Sequence, residues 1–266
     1  MSDARFWLSY TKIASFDRCR KQYWFRYLSG LPKPGDPMNP AGIVGTGVHR
    51  AMKALSDTGE AIDGARALET YLRMPAHEIA GPGTEAYVTA FGLFEHGCEA
   101  HAEILSEDRW AELSTYIHHR NVAISTKVDR ADLLAGGRWQ IIDWKTGRSD
   151  RDDDTDQQLD LGHLTLRTVL HLPREAGVTA IAWNLRTGHR RVRALERRDA
   201  AATVNLLGGI ARRMQTTTDF RATPSGGCAF CEWRQQCDDA DYIESGDYDW
   251  LDPEDLVDEE PELTGP

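Results

Sequence analysis

The chain has 266 residues, 41% hydrophobic side chains and a formal net charge of −11. No apolar run approaches the roughly 20 residues of a membrane-spanning helix, so we expect a cytoplasmic protein without membrane contacts. Thirteen acidic and no basic residues follow Cys237, which leaves 31 basic against 29 acidic residues before them. The charge therefore does not exclude a nucleic-acid partner. This change of composition after Cys237 predicts one domain over 1–237 and an acidic, disordered tail over 238–266.

Hydrophobic periodicity predicts the elements in chain order. Helices are predicted over residues 11–28, 45–57, 60–73, 84–106, 156–171 and 197–215, and strands over 110–118, 121–129, 138–145, 177–186 and 189–195. Gly30–Gly42 holds four prolines and predicts a linker or lid. Three strands, a helix and a further strand indicate an α/β fold, with an N-terminal helical region over one side.

An acid and a lysine stand two positions apart at the end of a predicted strand, as Asp143-Trp144-Lys145. The period of two places Asp143 and Lys145 on the same face. The turn around Gly136 returns the chain, so Asp129 of the preceding strand comes beside Asp143. Two clustered carboxylates become favourable when a hard divalent cation such as Mg²⁺ or Mn²⁺ lies between them.

Such a cation would polarise a phosphoryl oxygen and activate water, while a lysine offsets charge in the transition state. Phosphodiester hydrolysis uses each of these groups. In an exposed hairpin the same residues would form only a surface ion pair, worth less than about 1 kcal/mol. Ile141 and Ile142, directly before the acid, favour a core strand instead.

The stretches around Asp129 and Asp143-Trp-Lys145-Thr-Gly resemble the nuclease core of the RecB-like branch of the PD-(D/E)XK superfamily. The resemblance implies a mixed central sheet flanked by helices. Gly45-Thr-Gly-Val-His49 resembles that family's helix with a metal-binding histidine. The resemblance implies a metal site made of His49, Asp129, Asp143 and the backbone carbonyl of Trp144, with Lys145 catalytic. Gln158 fits the family's Gln-Leu-x-x-Tyr helix, where this chain has Gly162 in place of the tyrosine. The family commonly has an acidic residue four positions after this histidine, whereas this chain has Lys53. His118, His119 and His163 are interpreted as structural.

Three cysteines cluster near the C-terminus as Cys228-x2-Cys231-x5-Cys237, and a fourth, Cys19, lies in the first predicted helix. This pattern favours a metal or cluster site over a disulfide framework. Four thiolates would suit zinc or a [4Fe–4S] cluster, and the spacing alone does not decide. We interpret the fifth cysteine, Cys98, as a small core residue.

The segment from Ser9 to Tyr27 resembles the opening helix of RecB-type nucleases with an iron–sulfur staple, although Arg20 replaces the usual proline after Cys19. The resemblance implies that Cys19, Cys228, Cys231 and Cys237 hold a [4Fe–4S] cluster. Relatives of this type occur among CRISPR-associated adaptation nucleases, recombination helicase–nucleases and phage proteins. The resemblance also implies a protein partner, namely a helicase, an integrase or an adaptation nuclease. If a phage encodes the chain, the expected location is the host cytoplasm.

We therefore predict a Mg²⁺- or Mn²⁺-dependent deoxyribonuclease, an exonuclease on single-stranded DNA or free ends. A second hypothesis is a DNA-end-binding or adaptation-complex subunit with little cleavage. A third is a zinc-stapled structural protein in which the acid–lysine strand is incidental. Further phosphate contacts are predicted at Arg148, Arg190, Arg191 and Arg193. The acidic tail is either a solvated segment or a segment that covers the nucleic-acid groove or binds a basic partner.

Overall fold

The computed structural model describes residues 6–34, 40–147 and 152–239. The strands are β1 (Phe6–Ser9), β2 (Ser106–His119), β3 (Val122–Leu134), β4 (Arg138–Lys145), β5 (Val178–Asn184) and β6 (Arg190–Leu195). The α-helices are α1 (Tyr10–Arg18), α2 (Arg20–Tyr27), α3 (Pro40–Thr58), α4 (Ala61–Leu72), α5 (Glu85–Ala102), α6 (Asp152–Val169) and α7 (Arg197–Thr216). Short 3₁₀ helices cover Pro75–Ala80, Gly226–Phe230 and Arg234–Gln236. None of the described helices is long and apolar enough to span a membrane.

The described residues fall into two compact units. The first, which we call the sheet unit, lies within Met1–Asp17 and Met38–Thr218. The second, the cysteine unit, joins residues from both ends of the chain, within Arg18–Pro37 and Asp219–Pro266. The single domain predicted over 1–237 stays a prediction, and the predicted acidic tail lies outside the described residues from position 240 onward.

The sheet unit is built on a six-stranded mixed sheet. Its order is β1-β3-β4-β5-β6. Strands β1 and β4 pair with successive parts of one edge of β3, and β2 pairs along the opposite edge. The β1–β3 and β4–β5 pairs are parallel, and the β2–β3, β3–β4 and β5–β6 pairs are antiparallel. The three-residue turn between β3 and β4, residues 135–137, uses Gly136 and Gly137 at φ of +76° and +73°, a region that glycine enters without steric cost. The mixed α/β fold predicted from the sequence is confirmed.

Helices cover both faces of this sheet. Side chains of α3, α4 and α5 pack with Ile142 and Trp144 of β4 and with Trp183 of β5 in one core. The alternate residues of the same strands, including Ile141, pack against Leu159 and Leu166 of α6 in a second core. The period-two alternation of a strand thus directs Trp144 toward one layer of helices and its neighbours toward the other.

Two predicted elements differ from the structure, and one strand was not predicted. The helix predicted over 11–28 breaks at Cys19, whose extended backbone (φ −157°, ψ 111°) makes it the N-cap of α2. The strand predicted to end at Asp129 continues to Leu134. Strand β1 was not predicted, because its four residues carry too short a pattern to separate from the following helix. The hairpin predicted around Gly188 is confirmed as the β5–β6 turn.

The extension of β3 depends on a buried ion pair. Arg130 and Asp132 are both 0% exposed, and two guanidinium nitrogens of Arg130 lie 2.8 to 3.0 Å from the Asp132 carboxylate oxygens. A third, Nη1, lies 2.8 Å from Nδ1 of His101 on α5. Burial and the charges of Arg130 and Arg109 lower the pKa of His101 to about 4. This network connects β3 to α5 at Arg130, the residue directly after Asp129.

We expect Asp132→Ala to lower the free energy of unfolding by roughly 3–5 kcal/mol, because it leaves the buried Arg130 without its carboxylate. Urea unfolding followed by circular dichroism measures the change. The matched control is Arg66→Ala, which breaks the exposed Arg66–Asp63 pair and should cost less than about 1 kcal/mol. Similar losses in both variants would contradict a structural role for the buried pair.

Candidate functional site

The β3–β4 ladder opens at Asp129. Its last paired residues before the opening are Arg130 and Ile142, and from there the two strands separate. The carboxylate of Asp129 occupies the opening, where its Oδ2 accepts a hydrogen bond of 3.0 Å from the backbone N–H of Trp144. A side-chain oxygen thus replaces the main-chain acceptor that a continued ladder would offer. The sequence prediction that Asp129 returns beside the Asp143 strand agrees with this geometry.

His49 reaches the same carboxylate from α3. Its Nδ1 lies 3.2 Å from Oδ2 of Asp129, and its side chain is 34% exposed. Burial works against the charged imidazole, but the Asp129 carboxylate outweighs it and raises the pKa of His49. For Asp129, burial works against the charged carboxylate, but the contacts with His49 and the Trp144 N–H lower its pKa. His49 and Asp129 therefore place an imidazole nitrogen and a carboxylate, both possible metal ligands, side by side.

Asp143, Lys145 and Gln158 form the other half of the site. Gln158 on α6 donates from Nε2 to Oδ1 of Asp143 at 2.5 Å and accepts through Oε1 from the ammonium of Lys145. Nζ of Lys145 lies 2.7 Å from Oδ2 of Asp143. Burial raises the pKa of Asp143, against the opposing charge of Lys145, and the carboxylate of Asp129 adds to the increase. The two strand residues and the helix residue predicted from the sequence are thus in mutual contact.

The donor chemistry of these residues suits a divalent cation. Two carboxylates and an imidazole converge on the opening, and oxygen ligands are those that Mg²⁺ prefers. Oδ2 of Asp143 is buried beside the Lys145 ammonium, and no other hydrogen-bond donor among the described residues reaches it. The described residues contain no group of three His, Cys, Asp or Glu side chains already close enough to hold a metal ion. The site therefore offers suitable ligands that are engaged with one another.

Two charged residues near Asp129, Lys127 and Glu112, were not predicted from the sequence to belong to the site. Lys127 stands two positions before Asp129 in β3, so the strand period could have placed it beside the site. Its ammonium lies 2.6 Å from Oε1 of Glu112 on β2. Glu112 has a left-handed backbone (φ +51°), unusual for a residue other than glycine, and the β2–β3 register skips it opposite Asp129. No sequence signal marks this irregularity.

The predicted phosphate contacts on β6 are engaged within the sheet unit. Arg191 and Arg193 pair with Asp156 of α6, and Arg193 also lies 2.9 Å from Asp160. Arg190 lies over the ring of Trp183 and pairs with Glu103. These contacts tie α6 and α5 to the sheet. Arg148 lies outside the described residues.

The histidines interpreted as structural and the fifth cysteine lie in the sheet unit. His163 is 0% exposed, its Nε2 accepts a 2.7 Å hydrogen bond from Arg167, and burial and nearby arginine charge lower its pKa to about 4. Cys98 is partly buried and packs against the core formed by α3, α4 and α5. Both positions agree with their structural interpretation.

In the cysteine unit, Cys19, Cys228, Cys231 and Cys237 line one cavity of about 30 Å³. The stacked rings of Phe25 and Trp233, with centroids 5.2 Å apart, support its wall. Glu232 binds α2 through Arg26 at 2.6 Å and Gln22 at 3.0 Å. Burial raises the pKa of the Cys231 and Cys237 thiols. Residues more than 200 positions apart in sequence thus line the same cavity, although no three of the described cysteines are already close enough together to hold a metal ion.

Comparisons with known proteins agree with this architecture. A crystal structure from Eubacterium rectale, named "Putative exonuclease", has a TM-score of 0.51 and 11% identity, with 91% of this chain and 89% of that chain covered. SSO0001 has a TM-score of 0.34 and 16% identity over 73% and 84% of the two chains. VC1899 from Vibrio cholerae has a TM-score of 0.26 and 16% identity over 78% and 54%. At 11% identity, the likeness to the first of these structures concerns the fold alone. No curated protein sequence matches the chain.

The sequence profile of the PD-(D/E)XK nuclease superfamily matches residues 7–238, nearly all of the described part of the chain. This span includes both halves of the site at the β3–β4 opening and all four cysteines of the cysteine unit. The chain therefore belongs to the PD-(D/E)XK nuclease superfamily.

Proposed function

We propose that this protein is a RecB-like, metal-dependent deoxyribonuclease that acts as an exonuclease on single-stranded DNA or on free DNA ends. The observation that carries the proposal is the convergence of Asp129, Asp143 and Lys145 at the β3–β4 opening, within a chain of this nuclease superfamily. An ammonium beside two carboxylates is a set of charges that metal-dependent phosphodiester hydrolysis can use.

His49, Asp129, Asp143 and the backbone carbonyl of Trp144 would hold the metal, which we propose to be Mg²⁺ or Mn²⁺. When bound, such an ion supplies Lewis-acid polarisation of a phosphoryl oxygen and a water of lowered pKa. Lys145 places a positive charge beside the ligand Asp143, where negative charge develops on the attacked phosphate. Gln158 holds both Lys145 and Asp143 and so positions the ammonium relative to the carboxylate.

We further propose that Cys19, Cys228, Cys231 and Cys237 hold a [4Fe–4S] cluster. The support is that the four sulfur atoms belong to residues lining the same cavity, with thiolate chemistry suited to such a cluster. Zinc with four thiolates is the alternative occupant. A cytoplasmic location and a helicase, integrase or adaptation-nuclease partner belong to the same proposal.

Digestion of end-labelled DNA tests the function. We expect Mg²⁺ or Mn²⁺ to support repeated turnover on a linear single strand, and EDTA to abolish it. A circular single strand of the same sequence should resist digestion, because an exonuclease requires an end. Cleavage of the circle would replace the exonuclease by an endonuclease. Tight binding of DNA ends without turnover in either metal would favour the alternative, an end-binding or adaptation-complex subunit.

A further inference from the structure

One face of the sheet carries two exposed aromatic side chains near the candidate site. Trp7 of β1 and Tyr116 of β2 are 53% and 58% exposed. Their rings meet edge to face, with centroids 5.3 Å apart and planes at 87°. Trp7 pairs with Ala123 and Tyr116 with Ser125, so the two side chains flank β3 from its opposite edges. Exposed apolar side chains in contact with one another form a surface of the kind that marks binding sites.

This aromatic pair is on the same face of β3 as Lys127. Ala123, Ser125 and Lys127 are alternate residues of one strand and therefore point to one side. Thr126 and Val128, the residues between them, face α6: Thr126 donates to the Leu161 carbonyl at 2.7 Å, and Val128 belongs to the core that includes α6. The face that carries Lys127 is thus the one opposite α6.

The same face leads into the candidate site. Asp129 follows Lys127 by two residues and lies against His49 of α3, away from α6. Four residues of strand separate Asp129 from Ser125, the partner of Tyr116, which corresponds to about 13 Å. This distance is on the order of four stacked base steps.

We infer that Trp7, Tyr116 and Lys127 form a binding surface for the unpaired bases and phosphates of a single DNA strand whose end lies at the Asp129 site. We call these three residues the aromatic track. The inference rests on the proposed function and adds to it the part of the substrate that is bound away from the cleaved bond.

The chemistry of the track selects a single strand over a duplex. Aromatic side chains bind single strands by stacking on base faces, which a duplex keeps buried within its own stack. Lys127 adds a cation between the rings and the site. Its side chain is 51% exposed and its ammonium is paired with Glu112. A phosphate could therefore reach the ammonium by displacing a partly exposed carboxylate.

Binding measured without cleavage tests the track. The probe is a fluorescein-labelled single-stranded 20-mer, titrated in EDTA with the full-length protein and followed by fluorescence anisotropy. We expect Trp7→Ala and Tyr116→Ala each to raise Kd by about tenfold, the loss of roughly one stacked base. Trp7→Phe and Tyr116→Phe should restore binding to within about twofold, because they keep a stacking ring. Leu206→Ala is the control, an exposed apolar residue of α7 (56% exposed), and should leave Kd unchanged.

The outcomes separate this inference from the proposed function. If the wild-type protein digests DNA with Mg²⁺ or Mn²⁺ but the alanine variants bind the strand as tightly as the wild type, the track is wrong and the function stands. If binding depends on both rings but no metal supports digestion, the track stands and the nuclease function is wrong. Equal weakening by Leu206→Ala would also overturn the track, because the effect would then not depend on the aromatic rings. Urea unfolding of each variant identifies any that fail to fold, and Tyr116 on β2 then tests the track without Trp7 on β1.

Discussion

Lys145→Ala is expected to lower the rate of DNA cleavage by at least about 100-fold, the loss typical of removing one electrostatic contact to a transition state. The ammonium lies 2.7 Å from Oδ2 of Asp143 and contacts Gln158. Alanine therefore removes the positive charge beside the attacked phosphate and leaves the carboxylates in place. Initial rates on end-labelled single strands in saturating Mn²⁺ measure the effect.

Lys53→Ala is the matched control for this prediction. Lys53 lies on α3 one turn after His49, but its ammonium is paired with Asp57 at 2.5 Å and its side chain is 39% exposed. We expect its cleavage rate to remain within about threefold of the wild type, as for a surface ion pair. DNA binding by Lys145→Ala in EDTA should also remain, because the aromatic track is unchanged. A Lys145→Ala protein that cleaves at the wild-type rate would remove Lys145 from the catalytic site.

Cys231→Ser is expected to lose the proposed cluster and destabilise the cysteine unit. A cluster held by Cys19 and by the C-terminal cysteines closes a loop of about 200 residues, and such a closure stabilises a fold by about 5 kcal/mol in loop-entropy treatments. After anaerobic purification, we expect the wild type to contain iron and sulfide and to absorb broadly near 400 nm, and the variant to lose both signals. Urea unfolding then reports the loss of stability.

Cys98→Ala controls for the removal of a thiol. Cys98 belongs to the sheet unit, where it is partly buried against the core of α3, α4 and α5. Its replacement should leave iron, sulfide and the absorption spectrum unchanged and cost about 1 kcal/mol for the lost packing. Wild-type protein that contains zinc and no iron would replace the iron–sulfur proposal by the zinc-stapled site. Retention of iron by Cys231→Ser would remove Cys231 from the ligand set.

The parts of the site that lie on regular strands could be predicted from the sequence. The period of two placed Asp143 and Lys145 on one face, and the Gly-Gly turn placed Asp129 on the adjacent strand. The placement of His49 and Gln158 came from the resemblance to a family, because no local pattern tells a helical histidine or glutamine that faces a site from one that faces solvent.

The rest depends on tertiary contacts that leave little local trace. Arg130 and Asp132 look like the polar end of a strand, yet the strand continues because they pair with each other and meet His101 from a distant helix. The break at Cys19 separates two helical patterns that would otherwise read as one. Trp7 and Tyr116 are far apart in sequence, so their contact appears only when β1 and β2 flank β3.

Gly162 lies where α6 packs closely against the sheet. A Cβ at this position would lie 2.9 Å from Cδ1 of Ile141 and 3.6 Å from a methyl of Val128, so a larger residue would require the Ile141 side chain to move. Gln158 stands one turn earlier on the same face and bridges Asp143 and Lys145. The position that holds a tyrosine in the family motif thus holds, in this chain, the residue that allows the closest packing of α6 on the sheet. The same stretch of α6 carries the glutamine that contacts both Asp143 and Lys145.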